Sequence, residues 1–347
     1  PSPLMICLRC RVSYDLRTRD FRKLSSLSQT GRSTATTVVA SSLVAEMSTQ
    51  GVPRNEAKVL SFTDNRQDAS LQAGHLNDFV QVAQLRAALV AAMANNGGLQ
   101  FDVLGSSLFD SLDPSPQDFH KQPVESGPGF RSAKNAMVAL LEYRALDDLT
   151  RGWRVAQPNL EQTGLLKIEY DGLRELAEED SLWESLPAIS DASADLRESV
   201  LKDFLDNLRT QLAIEASPLT DISTKRIVTN AGQWLKDPWA LDERDYLRTA
   251  SVALLPGIQR DERDLTSRSF SLGWRSAIGR YLRSGRTWDT GDNGSSHGFR
   301  LSTAEVEELV TGIVNQLKGH ILHVVAKGAD EWGVRILAAA LRWTPGD

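Results

Sequence analysis

The chain has 347 residues, a formal net charge of −6, 41% apolar residues and 24% charged residues. This balance excludes global disorder and a uniformly basic surface, so any nucleic-acid role must rest on local basic patches. With no apolar run of about eighteen residues and no charged-then-apolar leader, neither a membrane span nor a secretory signal is expected, and the expected location is the cytoplasm.

The first segment, 1–57, carries both cysteines as Cys7-Leu8-Arg9-Cys10. That spacing is half of a four-ligand zinc site. None of the histidines (His75, His120, His297, His320, His323) stands at knuckle spacing from the pair. If zinc binds Cys7 and Cys10, the other ligands are expected upstream of this chain; the alternative is two unpaired thiols. Gly31-Arg32-Ser33 opens a predicted helix to about Met47, with Ser33 as N-cap. The chain starts without Met and stops on the turn-forming Thr344-Pro345-Gly346-Asp347. It therefore reads as an internal piece of a longer protein.

Residues 58–97 carry the clearest pattern. Lys58-Val59-Leu60-Ser61-Phe62 predicts a short buried strand, followed by a polar loop and a long helix capped by Asn65. Ala69, Ala73, Leu76, Val80, Ala83 and Ala87 mark its predicted core stripe, and Asn95-Asn96-Gly97-Gly98 ends it. Strand, loop and helix together make half of a parallel βαβ unit. Residues 98–133 are rich in Gly, Pro, Ser and Asp and read as a linker or long loop.

Residues 134–255 predict a helical insertion with a β-wing. Val138, Leu141, Ala145 and Leu149 mark one helix. Asn159 and Gly164 bound a short turn, and Leu166, Ile168 and Tyr170 alternate as a half-buried strand. Leu201, Phe204, Leu205 and Leu208 form the apolar face of a further helix. The last segment, 256–347, begins loop-rich around one basic helix and then repeats the helix-and-wing plan. Val306, Leu309, Val310, Ile313 and Leu317 form a stripe. A strand is expected over 320–325, a turn over 328–330, and a returning strand or helix over 332–343.

Arg268, Arg275, Arg280, Arg283 and Arg286 interleave with Trp274 and Tyr281, and no acidic residue falls between 268 and 286. Arginines pair with phosphates and aromatics stack on bases, so Arg275, Arg280 and Arg283 are candidate nucleic-acid contacts. Arg280 and Arg283 lie one helical turn apart, able to follow one backbone. The alternative is a solvated face, or arginines paired with Asp261, Glu262 and Asp264. His320 and His323 sit on opposite faces of a predicted strand and read as structural. Glu178-Glu179 and Glu307-Glu308 read as exposed helix charge.

The stretch from Lys58 to Phe79, with Ser61-Phe62-Thr63-Asp64-Asn65-Arg66-Gln67-Asp68-Ala69, resembles the first strand and helix of the second RecA-like lobe in large superfamily 2 DEAD/DEAH-box helicases, in a subgroup that includes defence-associated helicases. The segment Arg151-Gly152-Trp153-Arg154 with Pro158 to Leu166 is similar to a winged-helix-like insertion in the same lobe. The resemblance implies a mixed α/β, mainly helical fold: a partial RecA-like lobe interrupted by winged-helix-like modules. It implies that Thr63, Asp64, Asn65, Arg66 and Gln67 form the motif-IV loop that helps bind nucleic acid. It implies a parent ATP-dependent helicase using ATP and magnesium, with DNA as the expected partner and RNA as the alternative. The ATP-hydrolysing motifs themselves are missing. The sequence has no G-x-x-x-x-G-K-[ST] loop, no Asp-Glu-x-His or Asp-Glu-x-Asp box and no Gln-x-x-Gly-Arg-x-x-Arg pattern. No catalytic residue is assigned. A non-enzymatic winged-helix or protein-docking module is the competing expectation.

Overall fold

Helix boundaries follow local side-chain chemistry in the computed structural model, which describes residues 27–53, 56–60, 66–150, 159–258, 268–283, 301–327 and 330–346. Two long helices come first, α1 (Leu27–Thr49) and α2 (Arg66–Asn96). β1 (Leu99–Gln100) leads into α3 (Phe101–Leu112), α4 (Pro116–Phe119) and α5 (Pro128–Asp148). Next come β2 (Leu166–Tyr170), α6 (Leu173–Glu178), α7 (Ala194–Thr210), β3 (Ile214–Glu215) and α8 (Asp221–Trp234). β4 (Val252–Leu254), β5 (Ser269–Ser271), α9 (Ala277–Arg283) and α10 (Thr303–Leu317) precede the last three strands. These are β6 (Leu322–Lys327), β7 (Asp330–Leu337) and β8 (Leu341–Pro345). The fold is mixed α/β and mainly helical, as expected.

Side chains satisfy the free N–H groups at several helix starts. The Ser193 hydroxyl accepts from the Leu196 N–H, and Thr220 accepts from Ser223. Ser302 and Glu305 bond reciprocally at the start of α10. The predicted turn at 159–164 has the same logic: Asn159 Oδ1 accepts from the Gln162 N–H, and Gln162 Oε1 accepts from the Asn159 N–H. Gly164 follows with φ 76°. Ser33 is not a cap. It lies inside α1, which begins at Leu27.

Two small sheets hold distant parts of the chain together. In the first, β8 lies between β1 and β2, antiparallel to both, and the fully buried Trp343 stands opposite Leu99 on one side and Ile168 on the other. In the second, β7 pairs antiparallel with β6 and β4 and parallel with β3, and β4 pairs parallel with β5. The first sheet therefore crosses both divisions read from the sequence, at 133/134 and 255/256, and the second crosses the one at 255/256. The core runs from α2, α3 and α5 through α7 to α10.

Three expectations are corrected here. First, 57–60 is irregular backbone, with Val59 38% and Leu60 82% exposed, so the described part of the predicted 58–62 strand is absent. A buried strand needs a sheet on either side, and both sheets lie elsewhere. Second, the buried face of α2 is Val82, Leu85, Leu89, Ala92 and Met93, while Ala83 and Ala87 of the predicted stripe are exposed. Leucine and methionine bury more apolar area than alanine and set the rotation of the helix. Third, 98–133 is not a linker: Leu104, Leu108 and Phe109 of α3 and Phe119 of α4 are buried, and Phe109 meets Phe119 edge to face at 5.4 Å. The stripes on α7 and α10, by contrast, are buried as expected.

Candidate nucleic-acid interface

The basic segment is set between the second sheet and two helices. β5 ends at Ser271, a tight turn carries Trp274 and Arg275, and α9 begins at Ala277. The Ser276 hydroxyl accepts from the Gly279 N–H and fixes the entry into α9. Gly279 is required by packing: a Cβ there would lie 2.5 Å from the Gly273 carbonyl oxygen and 2.7 Å from Trp274 Cα. Ile278 and Leu282 are buried and anchor α9, which turns Ala277 and Arg280 outwards.

Trp274 is the centre of the cluster. The Arg275 guanidinium carbon lies 4.5 Å from its ring centroid and that of Arg283 5.4 Å. Such contacts hold a guanidinium in place without neutralising its charge. Arg275 and Arg280 are exposed, whereas Arg283 is half-buried, with its Nε buried and lacking a hydrogen-bond partner. The expectation that Arg280 and Arg283 share one outward face is thus corrected: Arg283 turns back to Trp274. Tyr281, expected as a stacking aromatic, is half-buried and its hydroxyl bonds to Asp203 of α7. Among the described residues, the exposed cations of this segment are Arg268, Arg275 and Arg280. Asp261, Glu262, Asp264 and Arg286 lie outside the described residues.

The other sequence candidates fall elsewhere. Thr63, Asp64 and Asn65 lie outside the described residues, as do Cys7 and Cys10. Arg66 and Gln67 lie in the first turn of α2. His320 is exposed in a turn and His323 is exposed on β6. Among the described residues, no group of three or more His, Cys, Asp or Glu side chains is placed to hold a metal ion. No described helix is long and apolar enough to cross a membrane.

A buried polar network escaped the sequence reading. Arg209 of α7 donates to both Glu161 oxygens, at 2.8 and 3.0 Å, to Asp206 Oδ1 at 2.8 Å and to the Tyr170 hydroxyl oxygen at 3.2 Å. The Tyr170 hydroxyl donates to Asp206 at 2.7 Å, and Lys202 lies 5.4 Å over the Tyr170 ring. Burial alone would push the Asp206 carboxyl up, but the charges of Arg209 and Lys202 and the hydrogen bonds from Arg209 and Tyr170 hold it below its ordinary value. Burial pushes the Tyr170 hydroxyl well above its ordinary value. The i, i+3 spacing of Asp206 and Arg209 was a visible signal; Glu161, 48 residues away, gave none.

Compared with known proteins, the chain matches no family model, no curated protein and no solved structure.

Proposed function

We propose that this chain is part of an ATP-driven nucleic-acid helicase or translocase, in which it contributes nucleic-acid contacts and part of a second RecA-like lobe. The resemblance of Lys58–Phe79 to motif IV suggests the machine. The structural observation that carries the reading is the exposed pair Arg275 and Arg280 beside the arginine-stacked Trp274. Exposed guanidiniums on a rigid turn and short helix suit phosphates, and phosphate contacts give sequence-independent affinity. The order of α10 and the β6–β7 hairpin fits a winged-helix-like module. Towards its hairpin end Lys327 stands opposite Asp330, and Glu331 pairs with Lys318, so the acids there offset the lysines and we assign phosphate contact to the α9 turn rather than to the wing. ATP and magnesium belong, in this reading, to segments of the parent protein that carry the motifs absent here. Zinc, if held, is held by Cys7 and Cys10 with ligands upstream.

Titration of the chain with forked DNA, single-stranded DNA and single-stranded RNA across a salt series tests the reading. Binding that weakens steeply with salt is expected, and Arg275→Ala with Arg280→Ala is expected to reduce the logarithmic salt slope by about 1–2. A folded chain that binds none of the three polymers refutes it. The motif-IV role is tested separately in the parent protein: Arg66→Ala is expected to weaken nucleic-acid-stimulated ATP hydrolysis, and unchanged stimulation removes that assignment. One observation favours a protein-docking role instead. Val38, Val39 and Leu43 of α1 are exposed, and a role confined to that surface would leave nucleic-acid binding absent.

A further inference from the structure

We infer that the groove between residues 186–188 and α10 is a docking site for a basic, amphipathic segment of a partner protein. This inference does not depend on the nucleic-acid reading. The groove is about 220 Å³, with Leu186, Ala188, Leu301 and Leu309 among its lining residues and the exposed carboxylates of Glu305 and Glu308 beside them. Its shape comes from close packing. Leu186 sits so near α10 that a Cβ on Gly312 would lie 2.2 Å from its side chain. The 186–188 turn is fixed by hydrogen bonds from the Leu186 N–H to the Trp183 carbonyl and from the Ile189 N–H to the Leu186 carbonyl, both 2.9 Å. Trp183 is fully buried. The walls are thus formed by packing and hydrogen bonds within the chain itself, and a preformed wall lowers the entropy cost of docking.

Charge selects the occupant. Between Glu169 and Glu198 the sequence has ten carboxylates against two arginines, a net charge of −8, so the rest of the −6 chain carries +2. Both arginines are already engaged. Arg174 bonds to Glu178, Asp195 and Glu198, and Arg197 is buried on Asp180 and nearby carbonyls. Glu175, Glu179, Glu184 and Asp191 of the same stretch are exposed. The Ser302 hydroxyl and backbone N–H hold the Glu305 carboxyl below its ordinary value, so it stays ionised. An apolar groove lined by Glu305 and Glu308, one wall of which comes from this acidic stretch of chain, accepts an apolar anchor flanked by lysine or arginine and repels nucleic acid and acidic peptides.

The test uses three labelled 18-residue peptides with the purified chain: an amphipathic helix of Leu and Lys, its Leu and Glu counterpart, and a Lys and Ser peptide without an apolar anchor. Only the first is expected to bind, with affinity falling at least about tenfold between low and high salt. Glu184→Lys with Glu308→Lys is expected to weaken it at least tenfold, and Ala188→Phe to remove it by filling the groove. The double charge reversal is on the surface and keeps the test decisive if Ala188→Phe misfolds. Equal binding of both lysine peptides, or binding untouched by these variants, overturns the groove as the site. No binding of the Leu and Lys peptide overturns the proposal outright. A dimer seen by sedimentation that Ala188→Phe dissolves would give the groove to a second copy of the chain and overturn the assigned occupant.

Discussion

Arg209 has 1% of its side chain exposed, yet its two carboxylate partners, Glu161 and Asp206, keep 29% and 27%. The cation has lost its water while its partners have not, so stability depends on the hydrogen bonds remaining in place. Arg209→Met should cost about 3 kcal/mol in urea unfolding, the low end of the range for breaking a buried pair, because Glu161 and Asp206 can still reach solvent. A loss below about 1 kcal/mol would mean that the network is not formed. The pH dependence has a definite sign. The Asp206 carboxyl is depressed in the folded state, so its contribution is present above the ordinary value of 3.8 and is lost as pH falls through the lower folded value. Asp206→Asn should therefore flatten the loss of stability below about pH 4, measured by urea unfolding at stepped pH. Tyr170 acts at the other end. Its raised value contributes stability below the ordinary 10.0 that is lost as pH rises towards the folded value.

Among the elements, large apolar residues were legible and small ones were not. The α7 stripe of Leu201, Phe204, Leu205 and Leu208 and the α10 stripe from Val306 to Leu317 are buried because bulky side chains at steps of three and four admit one orientation. The β2 alternation held for the same reason, with Leu166, Ile168 and Tyr170 buried. The orientation of α2 was not legible because its alanines lie all round the helix and suit either face. Its rotation is set by partners far away in sequence: Arg86 donates to both oxygens of Asp148 on α5, and Leu85 and Leu89 join the core. Leu85→Ala should cost about 2–5 kcal/mol, whereas Ala87→Glu should stay within about 0.5 kcal/mol. The reverse order in urea unfolding would restore the alanine stripe as the core face. α3 was hidden because Gly, Ser and Asp read as loop signals, although Leu104, Leu108 and Phe109 stand at helical spacing. At the candidate interface, the arginines and tryptophan were legible as residue types. Which arginine faces outward was not, because the packing of Ile278 and Leu282 decides it. Ser302→Ala should cost about 1 kcal/mol through lost capping of α10, measurable as a fall in the urea midpoint at constant slope.

For the whole molecule, charge and connectivity are arranged differently. Charge is segregated along the chain: the 169–198 stretch is acidic and the 268–286 stretch is free of acids, and α9 of the second is tied to α7, which begins within the first, where Tyr281 bonds to Asp203. Connectivity is interleaved. β8, at the end of the described chain, is the strand through which β1 near residue 100 and β2 near 168 are joined, and β7 draws together strands from 214, 253 and 323. A segment cut at the sequence-level boundary, 134–347, would keep α7, α10 and α5 from Lys134 onward, but lose the first turns of α5 and everything that covers it from the amino-terminal side. Leu99 would no longer face Trp343, Arg86 would no longer pair with Asp148, and the α3 residues Leu104 and Leu108 would leave the core they share with α5. Each lost buried leucine alone is worth about 2–5 kcal/mol, and three are removed together against a total stability of about 5–15 kcal/mol for an ordinary domain. The cut segment should therefore show no cooperative urea transition and should bind the dye ANS as a loosely packed state does, while the 347-residue chain unfolds cooperatively under the same conditions. A cooperative transition of the cut segment, with its tryptophans still in a fixed environment by near-ultraviolet circular dichroism, would mean that the helical insertion is a folding unit of its own and that the sheet spanning it is dispensable.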